Sequence, residues 1–553
     1  MRRLLPFMAL ASFLGVGPPS CGRSNPDYCA PDTPCPADKR CVPSPNLNTG
    51  EGTCVAPADL GGAVCSESLT CGADQPLCDP RVGVCRACRA GEDDLCSGRS
   101  SGDTPRCAQG RCVQCALPTG VTKAHQVAEC TARGAPKPGQ APICDKNVCR
   151  GCERHDECDS GVCVKDTSGE LYKLSQGTCV PVEQVLAVSS VTCSPTGPVY
   201  CRPQDAIKRL GQQVDAGSRY RYVVFQSGGL ESDFSEILIG TESAHRGLDL
   251  HLIAAPNADD PVTQMKPDQT VSIGASKRRG FVVSGDVRVT LEGFHVHNAS
   301  IGVDCSGAGA VETQVRVQRS WLTENSTALQ GLSGCVMIVE DSAVGGRTSK
   351  EGGNLGAVAT INRSDFQFIN TIAANNGDPS QMPLNGFGGI KIYGSLGGRK
   401  TSRIVNSVFF QNSVALQGKV AMGQRAGAVW CDQKLDKPLV LLNSLFMQGS
   451  FAAGTTSAFI PADCGDQVLV SSVLADDENT AKPKVTMEEL GSWGAGFVPP
   501  PTAQNDAQRR LLQGGVKELA IITDTVVAPT RDLSGAARPS GQNIAIGPYE
   551  PQP

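Results

Sequence analysis

A short pattern that keeps returning in the second half of this chain constrains its fold more than any other feature. Val317-Gln-Arg-Ser320-Trp-Leu322, Val339-Glu-Asp-Ser342-Ala-Val344 and Ile361-Asn-Arg-Ser364-Asp-Phe366 place their serines 22 residues apart, twice. Ile404-Val-Asn-Ser407-Val-Phe409 follows after 43 residues, close to two such periods. Leu441-Leu-Asn-Ser444-Leu-Phe446 and Leu469-Val-Ser-Ser472-Val-Leu474 continue with looser spacing. In all six, the residue three before the serine and the residue two after it are apolar. A straight strand would send two positions five apart to opposite faces. Both enter one core only if the chain bends between them. Asn406 and Asn443 stand just before the serine, and Asn tolerates the left-handed conformation that a sharp bend needs.

Strand, bend, strand, once per roughly 22 residues, is the coil of a parallel β-helix, with irregular spacings marking loops inserted at its turns. A leucine-rich repeat has a similar period but needs Leu where Ser320, Ser342 and Ser364 stand. An antiparallel sandwich would keep no fixed register. On this alignment Phe366 and Phe409 point inward and Asp365 outward. Arg319, Asp341 and Arg363 then share one column of three successive units.

Cysteine supplies the second constraint. The chain has 27, of which 22 fall between Cys29 and Cys201. Cys29, Cys35, Cys41 and Cys54 are separated by five, five and twelve residues, and Cys152, Cys158, Cys163 and Cys179 by five, four and fifteen. Both sets end in Gly-Thr-Cys-Val. Cys85-Arg-Ala-Cys88, Cys112-Val-Gln-Cys115 and Cys149-Arg-Gly-Cys152 repeat a second element, each with a cysteine five to seven positions upstream. The segment is a tandem array of small modules. Cys-x-x-Cys is also the spacing of zinc knuckles, and of thioredoxin-type sites, but no βαβ pattern surrounds it here. Only His125 and His155 accompany the cysteines, and an export signal precedes them, so disulfides are the expected chemistry. Apolar residues between the cysteines are few, which leaves the bridges to supply stability at about 2–4 kcal/mol each.

That export signal is read from the first residues. Arg2 and Arg3 precede an apolar run from Leu4 to Val16, then small residues and Cys21. This is a charged start, an apolar stretch too short to span a bilayer and a cleavage zone. Pro18-Pro19-Ser20-Cys21 resembles a bacterial lipobox, with Pro18 where Leu is usual. Lipidation at Cys21 would leave 26 cysteines, an even number; ordinary cleavage near Ser20 is the competing route and leaves one odd thiol. The expectation is an exported protein held at an outer membrane or cell surface through acyl chains alone, with free secretion as the alternative.

At 553 residues the chain exceeds what one core usually organises. The expected order is a leader at 1–20, an anchor and linker at 21–28, cysteine-rich modules at 29–182, a linker with a capping helix at 183–219, and the β-helix at 220–553. Pro203 to Val214 suits the cap. Pro203 fits a first helical turn, and Ala206, Ile207, Leu210 and Val214 form one apolar stripe that would cover the open end of the solenoid. The 50 basic and 55 acidic residues form no basic patch, so nucleic acid is not an expected partner. Aromatics at 5% leave few rings for stacking sugars or bases.

The strands Gly356-Ala-Val358, Gly389-Ile390-Lys-Ile392 and Gly427-Ala-Val429-Trp-Cys431, each followed by an Asn-Ser-x-Phe type strand, resemble those of bacterial right-handed β-helix repeat proteins. Asp532-Leu-Ser-Gly535-Ala-Ala-Arg538-Pro539 and Ile546-Gly547-Pro-Tyr549-Glu550 are similar to that family's closing motif, with Ala545 where it usually has Asp. The resemblance covers about residues 200–550 and implies an all-β, right-handed parallel β-helix of the pectate-lyase type. It implies no single activity, because the family includes lyases, glycosidases, adhesins and surface proteins.

Lyases of this fold use carboxylates that bind Ca²⁺ and an Arg or Lys base on neighbouring coils. The column Arg319, Asp341, Arg363 is the candidate for that chemistry, but no aspartate cluster accompanies it as an oxygen-rich calcium site requires. It is read as an exposed charge ladder, worth at most about 1 kcal/mol per pair. His295 and His297 alternate in Gly293-Phe-His-Val-His-Asn298 and so share one strand face, where a pair of imidazoles can ligate a metal or act as acid and base. They are read as solvent-facing strand residues. Asp476, Asp477 and Glu478 are read as a solvated loop. No cofactor is expected, and Ca²⁺ enters only under a lyase reading. Cys305 with Cys335 and Cys431 with Cys464 are the expected bridges of the solenoid, because cysteines of one column on adjacent coils, about 4.8 Å apart, meet the span of a disulfide. The expected function is a lipid-anchored surface protein that binds or supports, presenting the β-helix to a polysaccharide or a surface protein. The alternative is a secreted polysaccharide lyase or glycosidase.

Overall fold

The structure is a computed structural model whose described residues run from 28 to 475, leaving aside internal stretches such as 57–64, 133–140, 166–174, 227–235, 261–271, 378–386, 413–425 and 447–458. The leader, Cys21, the Asp476–Glu478 run and the closing motif at 532–550 lie outside the described residues. Contacts divide the chain into two units, one built on Met1–Gly134 with Cys144–Arg150, the other on Gly151–Pro553 with Ala135–Ile143.

The cysteines resolve into five modules with one bonding rule, first to third and second to fourth. Cys29–Cys41 with Cys35–Cys54 is the first, and Cys65–Cys78 with Cys71–Cys85 the second. Cys88–Cys107 with Cys96–Cys112 and Cys115–Cys144 with Cys130–Cys149 follow. Cys152–Cys163 with Cys158–Cys179 is the fifth. The rule has a geometric cause. The third and fourth cysteines face each other across an antiparallel ladder, as Cys78 does Cys85 and Cys107 does Cys112. Both sulfurs then reach the loop that precedes the hairpin. Gln109 and Gly110 take positive φ of 51° and 83°, and Lys146 and Asn147 48° and 68°, as a two-residue hairpin turn requires. Each Cys-x-x-Cys therefore straddles a module boundary and bonds in two directions. Leu77 with Cys88, Cys96 and Cys112 makes one small core, so sulfur takes the place of aliphatic bulk.

The second unit is a parallel β-helix of three sheets, with 11, 8 and 8 strands. One coil shows the plan: Thr313–Gln318 in the first sheet, Trp321–Thr323 in the third, Thr327–Leu332 in the second, then Cys335–Glu340 back in the first, paired with Thr313–Gln318. Most of the described corners hold a left-handed residue. Between first and third sheets these are Arg319, Asp341, Asn370 and Asn406, with φ of 45–52°. Behind them runs a buried hydroxyl column in which Phe294 N donates to Ser320 Oγ, Ser320 N to Ser342 Oγ, Thr371 N to Ser407 Oγ and Ser407 N to Ser444 Oγ. The next corner is held by asparagines: the N–H groups of Asn325, Asn354 and Asn376 donate to the Oδ1 of Asn354, Asn376 and Asn412 at 3.0–3.1 Å. These columns satisfy backbone donors that the turns would otherwise leave buried and unpaired. Val317, Leu322, Val339, Val344, Phe366 and Phe409 all fill the core.

Two expectations about the repeat need correction. The column of Ser342 continues not at Ser364 but at Thr371, 29 positions on, because Val339 pairs with Phe368. Ser364 lies at the third corner, between Ala359–Asn362 and Asp365–Ile369, where the same strand–bend–strand chemistry recurs. Ile361 and Phe366 are still buried, since every corner needs an apolar residue on each side. Asp365 is not exposed. It is 1% accessible, and its Oδ2 accepts from Arg399 N at 2.7 Å and Lys400 N at 3.0 Å.

Part of the expected linker at 183–219 belongs to the solenoid. Val185–Val188 pairs with Tyr222–Phe225 on one side and Val199–Tyr200 on the other, so the first sheet already begins there. The capping helix is shorter than expected, Pro203–Ile207, because a turn leads into Gly211 at φ +76°. Ala206, Ile207 and Leu210 are buried as the stripe predicts, while Val214 is only half-buried. Gln204 finishes the cap by accepting from Leu238 N and donating to Leu238 O, as a neighbouring strand would. His245 Nδ1 accepts from Gly240 N at 3.0 Å while its Nε2 meets Ile207 O at 3.0 Å.

Candidate functional site

Three groups of polar side chains stand out on the second unit. The first is the outer face of the first sheet. Its outward positions stack as His251, Thr290, Arg316, Ile338, Gln367 and Arg403 on successive coils. Arg288 pairs with Asp249, Arg316 lies 3.8 Å from Glu340, and Arg403 Nη2 donates to Gln367 Oε1 at 3.0 Å. Lys400 reaches across to Gln314 Oε1 at 3.2 Å. Burial lowers the pKa of Arg403 and Glu340 partly restores it, while its Nε–H has no acceptor among the described residues. Arg316 and Arg403 thus share one column but stand three coils apart, about 14 Å at about 4.8 Å per coil, and Arg288 lies two residues along its strand from that column. Planar donor forks suit carboxylate- or hydroxyl-bearing ligands.

The second group contains the histidine pair. His295 and His297 do share a face of the strand His295–His297, on the outer side of the third sheet. His295 is not solvent-facing: it is 6% exposed, with Trp321 stacked at 4.3 Å on one side and His297 at 4.8 Å on the other. Trp321 is fixed in turn by its Nε1–H, which donates to Gly345 O. His297 Nε2 contacts the Ser272 hydroxyl, and its Nδ1 lies beside Asn298.

The third group was not legible in sequence. The fifth module sits on the first sheet within one unit, so residue 182 is no domain boundary. Val162, Val164 and Val180 of the module pack on Tyr222, Val224, Ile253 and Ala258. Beside this apolar patch lies a cluster of five ionisable side chains. Lys165 Nζ is 2.6 Å from Asp259 Oδ1 and 3.4 Å from Glu292 Oε1. Glu292 also receives Arg319 and lies 3.2 Å from His155 Nε2. His155 Nδ1 accepts from Cys163 N, which assigns the ring proton to Nε2. Burial holds His155 well below the usual imidazole range. Burial and then the charge of Arg319 bring Lys165 down to about 8. Burial works against charge on Asp259, but Lys165, His155 and their hydrogen bonds outweigh it and hold that carboxyl at about 2.

Of the expected ladder, Arg319 and Asp341 do share a corner column, which continues through Asn370, whose Nδ2 donates to Asp341 Oδ1 at 2.6 Å. Arg363 does not belong to it. It lies at the third corner, where Gly334 N donates to its carbonyl and its own N donates to Ser395 O. Arg319 is turned into the buried cluster and is no exposed ladder residue. Cys431 and Cys464 are bonded with Cα atoms 5.0 Å apart, following the paired positions Trp430 and Asp463 on adjacent coils. Cys305 and Cys335 are bonded at 5.9 Å, but from different columns: Cys305 is level with Gly331 in the second sheet, and Cys335 opens the next strand of the first sheet. That bridge crosses a corner from inside the core. Among the described residues, the sets of three or more His, Cys, Asp or Glu side chains close enough to share a metal ion are all cysteines of the five modules, and those cysteines are in disulfides.

Thirteen disulfides pair all 26 cysteines from Cys29 onward, as suits an exported protein in an oxidising compartment. Among the described residues, no helix is long and apolar enough to cross a membrane. No curated protein and no solved structure matches the chain. Residues 53–185, which include modules two to five entire, match a family of unknown function (DUF8331).

Proposed function

We propose that the protein is a lipid-anchored surface protein whose β-helix binds an acidic polysaccharide along the outer face of its first sheet. The observation that carries this reading is the set of three partly buried guanidinium groups on that face, Arg288, Arg316 and Arg403, the Nε–H of Arg403 having no acceptor among the described residues. Arg316 and Arg403 lie three coils apart, about 14 Å along the solenoid, a span that suits a polymer better than a compact ligand. The anchor rests on the charged start, the short apolar run and Cys21 of the leader. The disulfide modules then form a reduction-resistant connection between anchor and binding domain. The protein as a polysaccharide lyase is the competing reading.

The test is binding of polyuronates of known length to the purified ectodomain by calorimetry, at low and high salt. Salt-sensitive binding that weakens roughly tenfold in Arg316→Gln combined with Arg403→Gln supports the proposal. Unchanged binding in that double variant refutes the site. Absorbance of unsaturated products in the same mixtures, with and without Ca²⁺, reports lyase activity directly.

A further inference from the structure

We infer that Lys165 and Asp259 condense into an amide between the lysine Nζ and the aspartate side-chain carbon, with Glu292 as proton carrier. The bond would seal the fifth module covalently to the solenoid. This inference does not depend on what the solenoid binds.

The geometry supplies the contact, a second carboxylate and a backbone donor, while the carboxyl, held at about 2, must take its proton from the amine against that preference. The amine and the carboxyl are already in contact, with Nζ 2.6 Å from Asp259 Oδ1. Reactants held within about 3–3.5 Å in fixed orientation gain several kcal/mol over free collision. A second carboxylate stands at the same amine, Glu292 Oε1 at 3.4 Å, where a general base must be. Glu292 is itself held by Arg319, and His155 Nε2 lies 3.2 Å from it. The N–H of Asp156 donates to Asp259 Oδ2 at 3.1 Å, placed to steady negative charge on that oxygen as nitrogen adds to the carbon. Water is largely excluded: the side chains of Asp259 and Glu292 are 2% and 6% exposed, and that of Lys165 21%. The same burial weakens the hold of Lys165 on its proton, which makes an amine nucleophile accessible near neutral pH.

The step balances without any co-reactant. A proton passes from the Lys165 ammonium to Oδ1 of the Asp259 carboxylate, leaving a neutral amine and a carboxylic acid. Nζ adds to Cγ, and Glu292 takes the second nitrogen proton. Glu292 returns it to the Oδ1 hydroxyl as the C–O bond breaks, and one water departs. A C–N bond replaces a C–O bond, nothing is oxidised or reduced, and Glu292 ends as the carboxylate it was. The joined residues are 94 apart, one in the fifth module and one in the solenoid. The amide therefore closes a connection that none of the thirteen disulfides makes.

Reducing peptide mapping of the complete exported chain by mass spectrometry tests the inference, whatever the processing of its N-terminus. A branched peptide is expected, joining the segments that carry Lys165 and Asp259 and weighing one water less than their sum. Lys165→Arg, which keeps the charge and the contact, is expected to give two separate peptides of full mass. Glu292→Gln, which keeps the shape, is expected to abolish or strongly slow the condensation. Wild-type peptides that are separate and of full mass overturn the inference. A water deficit that persists in Lys165→Arg also overturns it, since the water was then lost elsewhere. A branched peptide formed as fast in Glu292→Gln removes Glu292 from its role.

Discussion

Replacing Asn354 by Ala tests whether the asparagine column holds the coils together. Asn354 is 2% exposed and accepts twice on Oδ1, from Asn325 N and Asn325 Nδ2, both at 3.0 Å. Its Nδ2 donates to Leu322 O at 3.1 Å and to Asn376 Oδ1 at 2.7 Å. Truncation leaves two backbone groups, Asn325 N–H and Leu322 C=O, without these partners at residues that are 0% exposed. Each such orphan costs about 1–3 kcal/mol, so the expected loss is about 2–6 kcal/mol, with the lower end reached if a water enters the vacated space. The control is Thr360→Ala, on the outer face of the second sheet, expected within about 0.5 kcal/mol of wild type. Urea unfolding followed by circular dichroism measures both, provided the slope is unchanged. Hydrogen exchange should show the loss first in Trp321–Thr323 and Ala343–Gly345, the strands nearest the change. An Asn354→Ala midpoint equal to that of Thr360→Ala refutes the reasoning.

Cys21→Ser should release the protein into the medium or leave it unprocessed, and detergent partitioning like wild type would exclude the lipid anchor. Asp365→Asn exchanges a carboxylate for an amide beneath Arg399 N and Lys400 N, and should loosen that loop by about 1–2 kcal/mol, read as faster amide exchange there. The pKa values of His155 and His245 are both lowered by burial in the fold, and each Nδ1 accepts a backbone N–H. An unfolded imidazole titrates near about 6.5, so below that pH the unfolded chain binds more protons and stability falls as pH drops. A urea midpoint that is flat between about pH 7 and pH 5 would contradict this.

The local chemistry of a corner is what the sequence makes legible. Val317 and Leu322 flank Ser320 as Ile404 and Phe409 flank Ser407, and all four are buried. The same chemistry misled at Ser364, because a three-sided coil has three corners and the longer coil from Ser342 to Thr371 let the wrong one fall 22 residues after Ser342. Asp365 looked exposed for a related reason: alternation places it outside the core, but the segment carrying Arg399 and Lys400 folds over it. His295 is covered likewise, by Trp321. The cluster of His155, Lys165, Asp259 and Glu292 left no local signal, since its members are distant in sequence and each reads as an ordinary polar residue. Only the docking of the fifth module brings them together.

The bonding rule of the cysteine modules bears on how the chain matures. Each pair of crossed bridges closes within about 20–40 residues, and each Cys-x-x-Cys belongs half to one module and half to the next. A chain entering an oxidising compartment from its N-terminal end can therefore complete one module before the next emerges, without holding any thiol open for a distant mate. Wrong pairing is limited to neighbours, of which four cysteines allow only three arrangements. It also follows that a whole module can be copied or dropped by recombination and leave every remaining bridge intact, so this region is free to change length in discrete steps.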